Sequence, residues 1–199
     1  MLHSIVGLQN SGKTLYMTYL LFLDYLRGRR IISNYDLSFP HSKINRDYLL
    51  SMIENKIIYR DISFGFDELW IWLDSRQSTM NTVATYFFLQ SSKDSNKIYS
   101  TAQTNSQNDI RFRKNLHFIS QCERNILYNG SFHEVQKFIT DDMDERELTP
   151  ELQNLLYIHI QEFKRVNMGF VSDVRVNKTL YLPAKPIFNL FDTRQKVTK

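Results

Sequence analysis

Residues 7–14, GLQNSGKT, constrain the fold of this 199-residue chain more than any other stretch. They satisfy the pattern G-x-x-x-x-G-K-[ST] at every position. An apolar run at residues 2–6 precedes them, and a helical pattern from Leu15 to about Arg27 follows. Strand, glycine-rich loop, then helix is the context in which a loop can wrap a phosphate chain. The backbone N–H groups of Gly7, Leu8, Gln9, Asn10, Ser11, Gly12, Lys13 and Thr14 then converge on phosphate oxygens, helped by the helix dipole. Gly7 and Gly12 allow a close approach that a Cβ would obstruct. Lys13 is placed to reach the β and γ phosphates, and the Thr14 hydroxyl to ligate Mg²⁺. The stretch predicts binding of a nucleoside triphosphate.

The rest of the composition bounds where such a site can sit. One domain is expected over residues 1–199, with its core at about 1–125 and an acidic segment, hairpin and tail at about 140–199. Apolar residues make up 42% of the chain, enough to fill a core. The single cysteine, Cys122, leaves no intrachain disulfide and no Cys-based zinc site, and the five histidines lack ligand spacing. The most apolar segment, residues 15–26, contains Asp24 and falls short of the roughly 20 residues that span a bilayer. No integral membrane segment and a soluble, intracellular protein are expected. Net charge is +4, but six acidic residues cluster at 141–151, leaving 24 basic against 15 acidic residues elsewhere. A basic body with one acidic excursion suits a polyanion such as DNA, and equally a solvated surface.

Strands and helices alternate along the chain. Residues 29–36 read as a strand. Asn45 is a candidate cap for a helix through about Asn55, and residues 61–66 form a strand ending in Asp67-Glu68. Residues 69–74 and 80–90 look helical. Residues 97–102 form a strand delivering Gln103, 106–115 a helix, and 116–122 another strand. This alternation implies an α/β fold: a mostly parallel central sheet with helices on both faces. Residues 157–166 and 170–176 add a small C-terminal β-hairpin with a turn at Asn167-Met168-Gly169, and a tail runs on past Pro183 and Pro186.

A phosphate loop needs a carboxylate on a neighbouring strand to hold Mg²⁺. Asp67, 54 residues after Lys13, is at such a strand end. Glu68 follows it and can polarise an attacking water as general base, which favours ATP hydrolysis over phosphoryl transfer by a kinase. Gln103 is placed to sense the γ-phosphate, because ends of parallel strands face the nucleotide crevice. Trp70 and Trp72 read as packing residues.

Taken together, residues 7–14, FDELWIWLDSRQS at 66–78 and IYSTAQTNSQNDIRFRKN at 98–115 resemble the FtsK/HerA superfamily of P-loop motors. The chain is most similar there to small genome-packaging ATPases of archaeal icosahedral viruses with an internal membrane, and PIFNLFDTRQ resembles a closing stretch of such relatives. The resemblance implies a ring, usually a hexamer, that translocates double-stranded DNA with ATP and Mg²⁺ into a preformed capsid. It implies a capsid or membrane-vertex partner, and a location in the host cytoplasm or on the virion. It assigns Lys13 and Thr14 to the phosphate loop, Asp67 and Glu68 to metal and base, and Gln103 to the sensor. Relatives also place an arginine about eleven residues before that glutamine, to act across the subunit interface. This chain has Ser91-Ser92-Lys93 there, so Lys93, Arg76, Arg111 and Arg113 stand as candidates.

DNA contacts are expected from phosphate-directed cations, with Lys164, Arg165, Arg175 and Lys178 on the hairpin as candidates. A related alternative is the zonular-occludens-toxin-like group of phage assembly and export. Its members carry a membrane-spanning helix after the ATPase domain, which this sequence lacks. A P-loop kinase would lack Glu68 and Gln103 and carry an Arg-rich lid. A nucleotide-regulated assembly module would bind ATP without turnover.

Overall fold

The apolar run ahead of the loop becomes strand β1, Leu2–Val6, inside a sheet whose other strands come from all along the chain. The computed structural model describes residues 1–55, 59–72, 87–90, 94–107, 110–135, 154–168 and 171–191. Among these, β2 is Arg30–Ser33, β3 Ser42–Lys43, β4 Ile62–Phe66, β5 Lys97–Ala102 and β6 Phe118–Tyr128. Three more follow: β7 Ser131–Glu134, β8 Leu156–Met168 and β9 Val171–Pro183. Their order is β3-β2-β4-β5-β1-β6-β8-β9, with β7 paired to β6. Every pairing from β3 to β6 is parallel, whereas β6–β7, β6–β8 and β8–β9 are antiparallel.

Parallel strands are buried on both faces, and successive side chains feed opposite cores. On one face Ile5 and Tyr99 pack with Leu15 and Leu21 of α1, Lys13–Leu26, and with Ile158 and Ile160 of β8. On the other, Leu2, Phe64 and Ile98 meet Leu49 and Met52 of α2, Arg46–Glu54, and Leu69 and Trp72 of α3, Leu69–Trp72. Asn45 caps α2 as expected, its Oδ1 accepting the Tyr48 N–H at 2.8 Å. Trp72 is a packing residue, edge-on to Phe66; the Trp70 side chain lies outside the described residues.

Three expectations change. The helix placed at 106–115 is a 3₁₀ turn, Asn105–Gln107, and a short helix, Ile110–Lys114. The strand placed at 116–122 runs on to Tyr128 and turns back as β7. The C-terminal hairpin is present and longer than expected. Its two 13-residue strands continue the central sheet, β8 pairing with β6 from Phe118↔Lys164 to Ile126↔Leu156. Polar residues in Glu123–Asn125 hide this from a pattern of apolar runs, and sheet pairing on both edges supplies what the apolar pattern lacks. The acidic segment at 141–151 lies outside the described residues. Among those described, no helix is long and apolar enough to cross a membrane.

Two buried polar clusters tie these layers together. Asp24 of α1, fully buried, accepts hydrogen bonds from Lys97 (2.5 Å), Ser63 (2.8 Å) and Tyr99 (2.9 Å), so it locks the helix to β4 and β5. On β1, His3 lies 2.8 Å from Ser120 Oγ and 3.9 Å from the buried Glu162 of β8. Glu162 also accepts from Asn177 and meets Lys178 at 3.5 Å.

Burial lowers the His3 pKa from 6.5 to about 3, with Lys178 adding to the effect. The folded protein therefore excludes a proton that the unfolded chain takes up below pH 6.5. Stability is full above that value and falls with acidification down to the folded value. Between pH 6.5 and 5, where ordinary carboxylates are still ionised, wild type is expected to lose about 1.5–2 kcal/mol that His3→Phe does not lose. Urea denaturation at the two pH values measures it; an equal loss in both proteins rules His3 out as the source.

Candidate nucleotide site

The carboxyl ends of the parallel strands converge on one edge, where crevices of α/β sheets bind ligands. β1 delivers the loop, β4 delivers Asp67 and Glu68, and β5 delivers Gln103. Because β5 lies between β1 and β4, the acidic pair reaches the loop across one intervening strand.

The loop is preshaped. Gly12 sits at φ +90° before the first helical residue, and a Cβ there would lie 2.9 Å from Ile158 Cγ1. A Cβ on Gly7 would lie 2.5 Å from the Cys122 carbonyl oxygen. Both positions thus require glycine for close approach. The Gly7 N–H donates to the Gln103 carbonyl at 3.2 Å, and Ser11 N–H to the Leu8 carbonyl at 3.2 Å. Ser11 Oγ is buried without a hydrogen-bond partner inside the cradle, a donor left for an incoming oxygen. Lys13 arches back and its ammonium donates to the Leu8 carbonyl at 2.7 Å.

Thr14 Oγ1 donates to Asp67 Oδ1 at 3.0 Å, so the hydroxyl and carboxylate expected to share a metal are adjacent. Two hard oxygen ligands beside a phosphate cradle fit Mg²⁺, which keeps several waters and binds through few protein groups. Burial raises the Asp67 pKa, opposed by hydrogen bonds from Thr101 and Thr14 and by the charge of Lys13. Glu68 is also raised, by burial and then by Asp67. Lys13 is lowered by burial, against the pull of Asp67. Glu68 holds φ +51°, a left-handed conformation that costs a side-chain-bearing residue on the order of 1 kcal/mol or more. Such strain persists where surroundings impose it, and here Thr101 Oγ1 accepts the Glu68 N–H at 2.9 Å.

Sequence reasoning missed the groups that position this pair. Thr101 donates to Asp67 Oδ1 at 2.6 Å while accepting from Glu68. Asn34 clamps the Asp67 backbone from both sides, Nδ2 to its carbonyl (2.8 Å) and Oδ1 from its N–H (2.7 Å). Both stand at ends of parallel strands, a signal that could have found them. Arg124 of β6 donates its Nε–H to the Asn10 carbonyl in the loop and lines both cavities flanking it. Only the pairing of β6 beside β1 brings it there.

Gln103 is tied to the loop through its carbonyl. Its exposed side chain borders a cavity of about 450 Å³ with Leu8, Gln9 and Arg124. Of the finger candidates, Arg113 lines a separate pocket with His117 and Arg165, away from the loop, and its Nε is buried without a partner. Arg76, Lys93 and the Arg111 side chain lie outside the described residues.

Strand, phosphate loop, helix and a strand-end carboxylate bonded to the loop threonine, in a mostly parallel α/β sheet, define the fold class of P-loop nucleoside triphosphatases. No family model matches the chain, and no curated protein matches it in sequence. Among solved structures it resembles the N-terminal domain of zonular occludens toxin from Neisseria meningitidis. The two are 14% identical over 96% of this chain and 98% of that one, with a TM-score of 0.59. The flagellar accessory protein FlaH from Methanocaldococcus jannaschii is 10% identical over 89% and 85%, with a TM-score of 0.51. The genome packaging NTPase B204 from Sulfolobus turreted icosahedral virus 2 is 13% identical over 87% and 94%, with a TM-score of 0.49. At these identities the likeness is one of fold.

Proposed function

We propose that this chain hydrolyses ATP to drive movement of double-stranded DNA, as a viral genome-packaging motor working in a ring in the host cytoplasm or at a virion vertex. The observation that carries hydrolysis is the Thr14–Asp67 hydrogen bond, with Glu68 next in sequence and Lys13 on the adjoining loop. Thr14 and Asp67 would hold Mg²⁺, whose chemistry at such a site is neutralisation of charge on the β and γ phosphate oxygens. Lys13 exchanges the Leu8 carbonyl for phosphate oxygens. Ser11 and the loop N–H groups orient the phosphate chain. Glu68 accepts the proton of the attacking water at its carboxylate.

The DNA reading rests on the sequence resemblance and on the hairpin's charges. Lys164 and Arg175 stand directly opposite on β8 and β9, both exposed. Two exposed cations side by side present positive charge to a polyanion. Lys178 is engaged by Glu162, and Arg165 donates to the Lys114 carbonyl, so these two serve the hairpin's own structure. The fold overlap with the zonular occludens toxin domain favours a second reading, a phage assembly and export ATPase.

Steady-state ATPase assays with and without double-stranded DNA separate these. The packaging reading expects DNA to stimulate turnover, in a salt-dependent manner, and Lys13→Ala to abolish it. Turnover indifferent to DNA at low salt favours export. Turnover equal in Lys13→Ala removes the site altogether.

A further inference from the structure

The cavity beside the phosphate loop, about 330 Å³, has both polar and aromatic side chains in its lining. Lys13, Thr14 and Asp67 line it together with Tyr35, Phe188 and Phe191. The aromatic lining is assembled from a loop after β2 and from the C-terminal tail. Main-chain contacts hold that tail in place. The Ala184 N–H donates to the Leu156 carbonyl (3.0 Å), the Ser38 N–H to the Leu190 carbonyl (2.9 Å), and Leu37 bridges Phe191.

Within this tail Ile187 is the anchor, 4% exposed, whereas Phe188 beside it is 40% exposed. Phe191 stands edge-on to Tyr35 with centroids 6.0 Å apart, and the Tyr35 hydroxyl lies 2.9 Å from Thr18 Oγ1 on α1. Phe191 and Tyr35 are therefore fixed by packing, whereas Phe188 leaves apolar ring surface in water, an unfavourable state that a flat apolar ligand would relieve. Lys13 and Thr14 line the same cavity as these rings, so phosphates on the loop and a base against the rings would share one space.

We propose that Phe188 and Phe191, with Tyr35, form the base slot of the nucleotide site, so that the tail gives the loop its selectivity for nucleoside triphosphates over bare polyphosphate. The proposal rests on the nucleotide reading above and adds the tail to the site. Aromatic stacking on a base, lost by truncation, corresponds to roughly tenfold in affinity.

Calorimetric titration with Mg-ATP and with Mg-tripolyphosphate tests it in the full chain, on wild type, Phe188→Ala and Phe188→Tyr, with thermal melting to confirm folding. Wild type is expected to bind ATP more tightly than tripolyphosphate. Phe188→Ala is expected to bind ATP about tenfold more weakly with tripolyphosphate affinity unchanged, and Phe188→Tyr to restore ATP binding. If Phe188→Ala leaves ATP affinity unchanged, or weakens both ligands alike, the base slot is overturned while the phosphate loop stands. If wild type binds tripolyphosphate and ATP equally, the slot is likewise overturned. Binding of neither ligand to wild type refutes the nucleotide reading itself, and the slot with it.

Discussion

Glu68→Gln is expected to bind Mg-ATP with near wild-type affinity and to hydrolyse it about 10²–10⁴-fold more slowly, the usual contribution of a positioned general base. The substitution keeps the shape of the side chain and removes its ability to take a proton. The Thr101 bond to the residue 68 N–H is to the backbone and survives, so the loop and Asp67 keep their geometry. The same assignment dictates a pH profile. Burial and Asp67 raise the Glu68 pKa, so the ionised, competent form is lost as pH falls through a value above the ordinary glutamate range. The acid limb of kcat/KM should sit correspondingly high. Single-turnover hydrolysis by Glu68→Gln at the wild-type rate would show that the base lies elsewhere.

Asp24→Ala is expected to destabilise the fold by about 3–5 kcal/mol, because it strands a partly buried ammonium and two hydroxyls that it had paired. Lys97, Ser63 and Tyr99 all donate to this carboxylate, and each sits on a strand of the sheet. Burial alone would raise the Asp24 pKa; the hydrogen bonds from Lys97, Ser63 and Tyr99 outweigh it and lower the value. The stabilisation is therefore present above the ordinary aspartate pKa and lost as pH falls through the lowered folded value. This loss begins only below the ordinary aspartate pKa, whereas the His3 loss starts at pH 6.5, so the upper part of an acid titration carries the His3 contribution without that of Asp24. Guanidinium denaturation of Asp24→Ala and of Asp24→Ala/Lys97→Met measures it. The double variant should recover part of the loss, and a single-variant loss below about 1 kcal/mol would mean that the pair is not desolvated.

Much of the site was legible because its signals are local. A strand, a loop of fixed glycine spacing and a helix need only short-range pattern, and so does an acidic pair at a strand end. β1 and β5 fall on the predicted residues 2–6 and 97–102, and Thr14 meets Asp67. One local signal was present and unread. Asn129-Gly130, with both φ angles positive, is the turn that favours a two-residue hairpin and opens β7. The residues around the acidic pair were a different matter. Asn34 and Thr101 carry no motif, and they matter only because β2, β4 and β5 lie side by side.

By itself, the sequence determined that a phosphate loop, a partner carboxylate and an alternating α/β core are present, because spacing and periodicity encode them along the chain. Tertiary structure alone decided what surrounds them. The strand order set β5 between the loop and Asp67, carried Arg124 up to the Asn10 carbonyl and merged a hairpin of two 13-residue strands into the sheet. It also brought Phe188 and Phe191 into the cavity that Lys13 lines, from positions more than 170 residues away in the 199-residue chain. Such neighbours are chosen by strand pairing and by burial on two faces of one sheet, which are properties of the assembled fold and leave no periodic mark in the sequence.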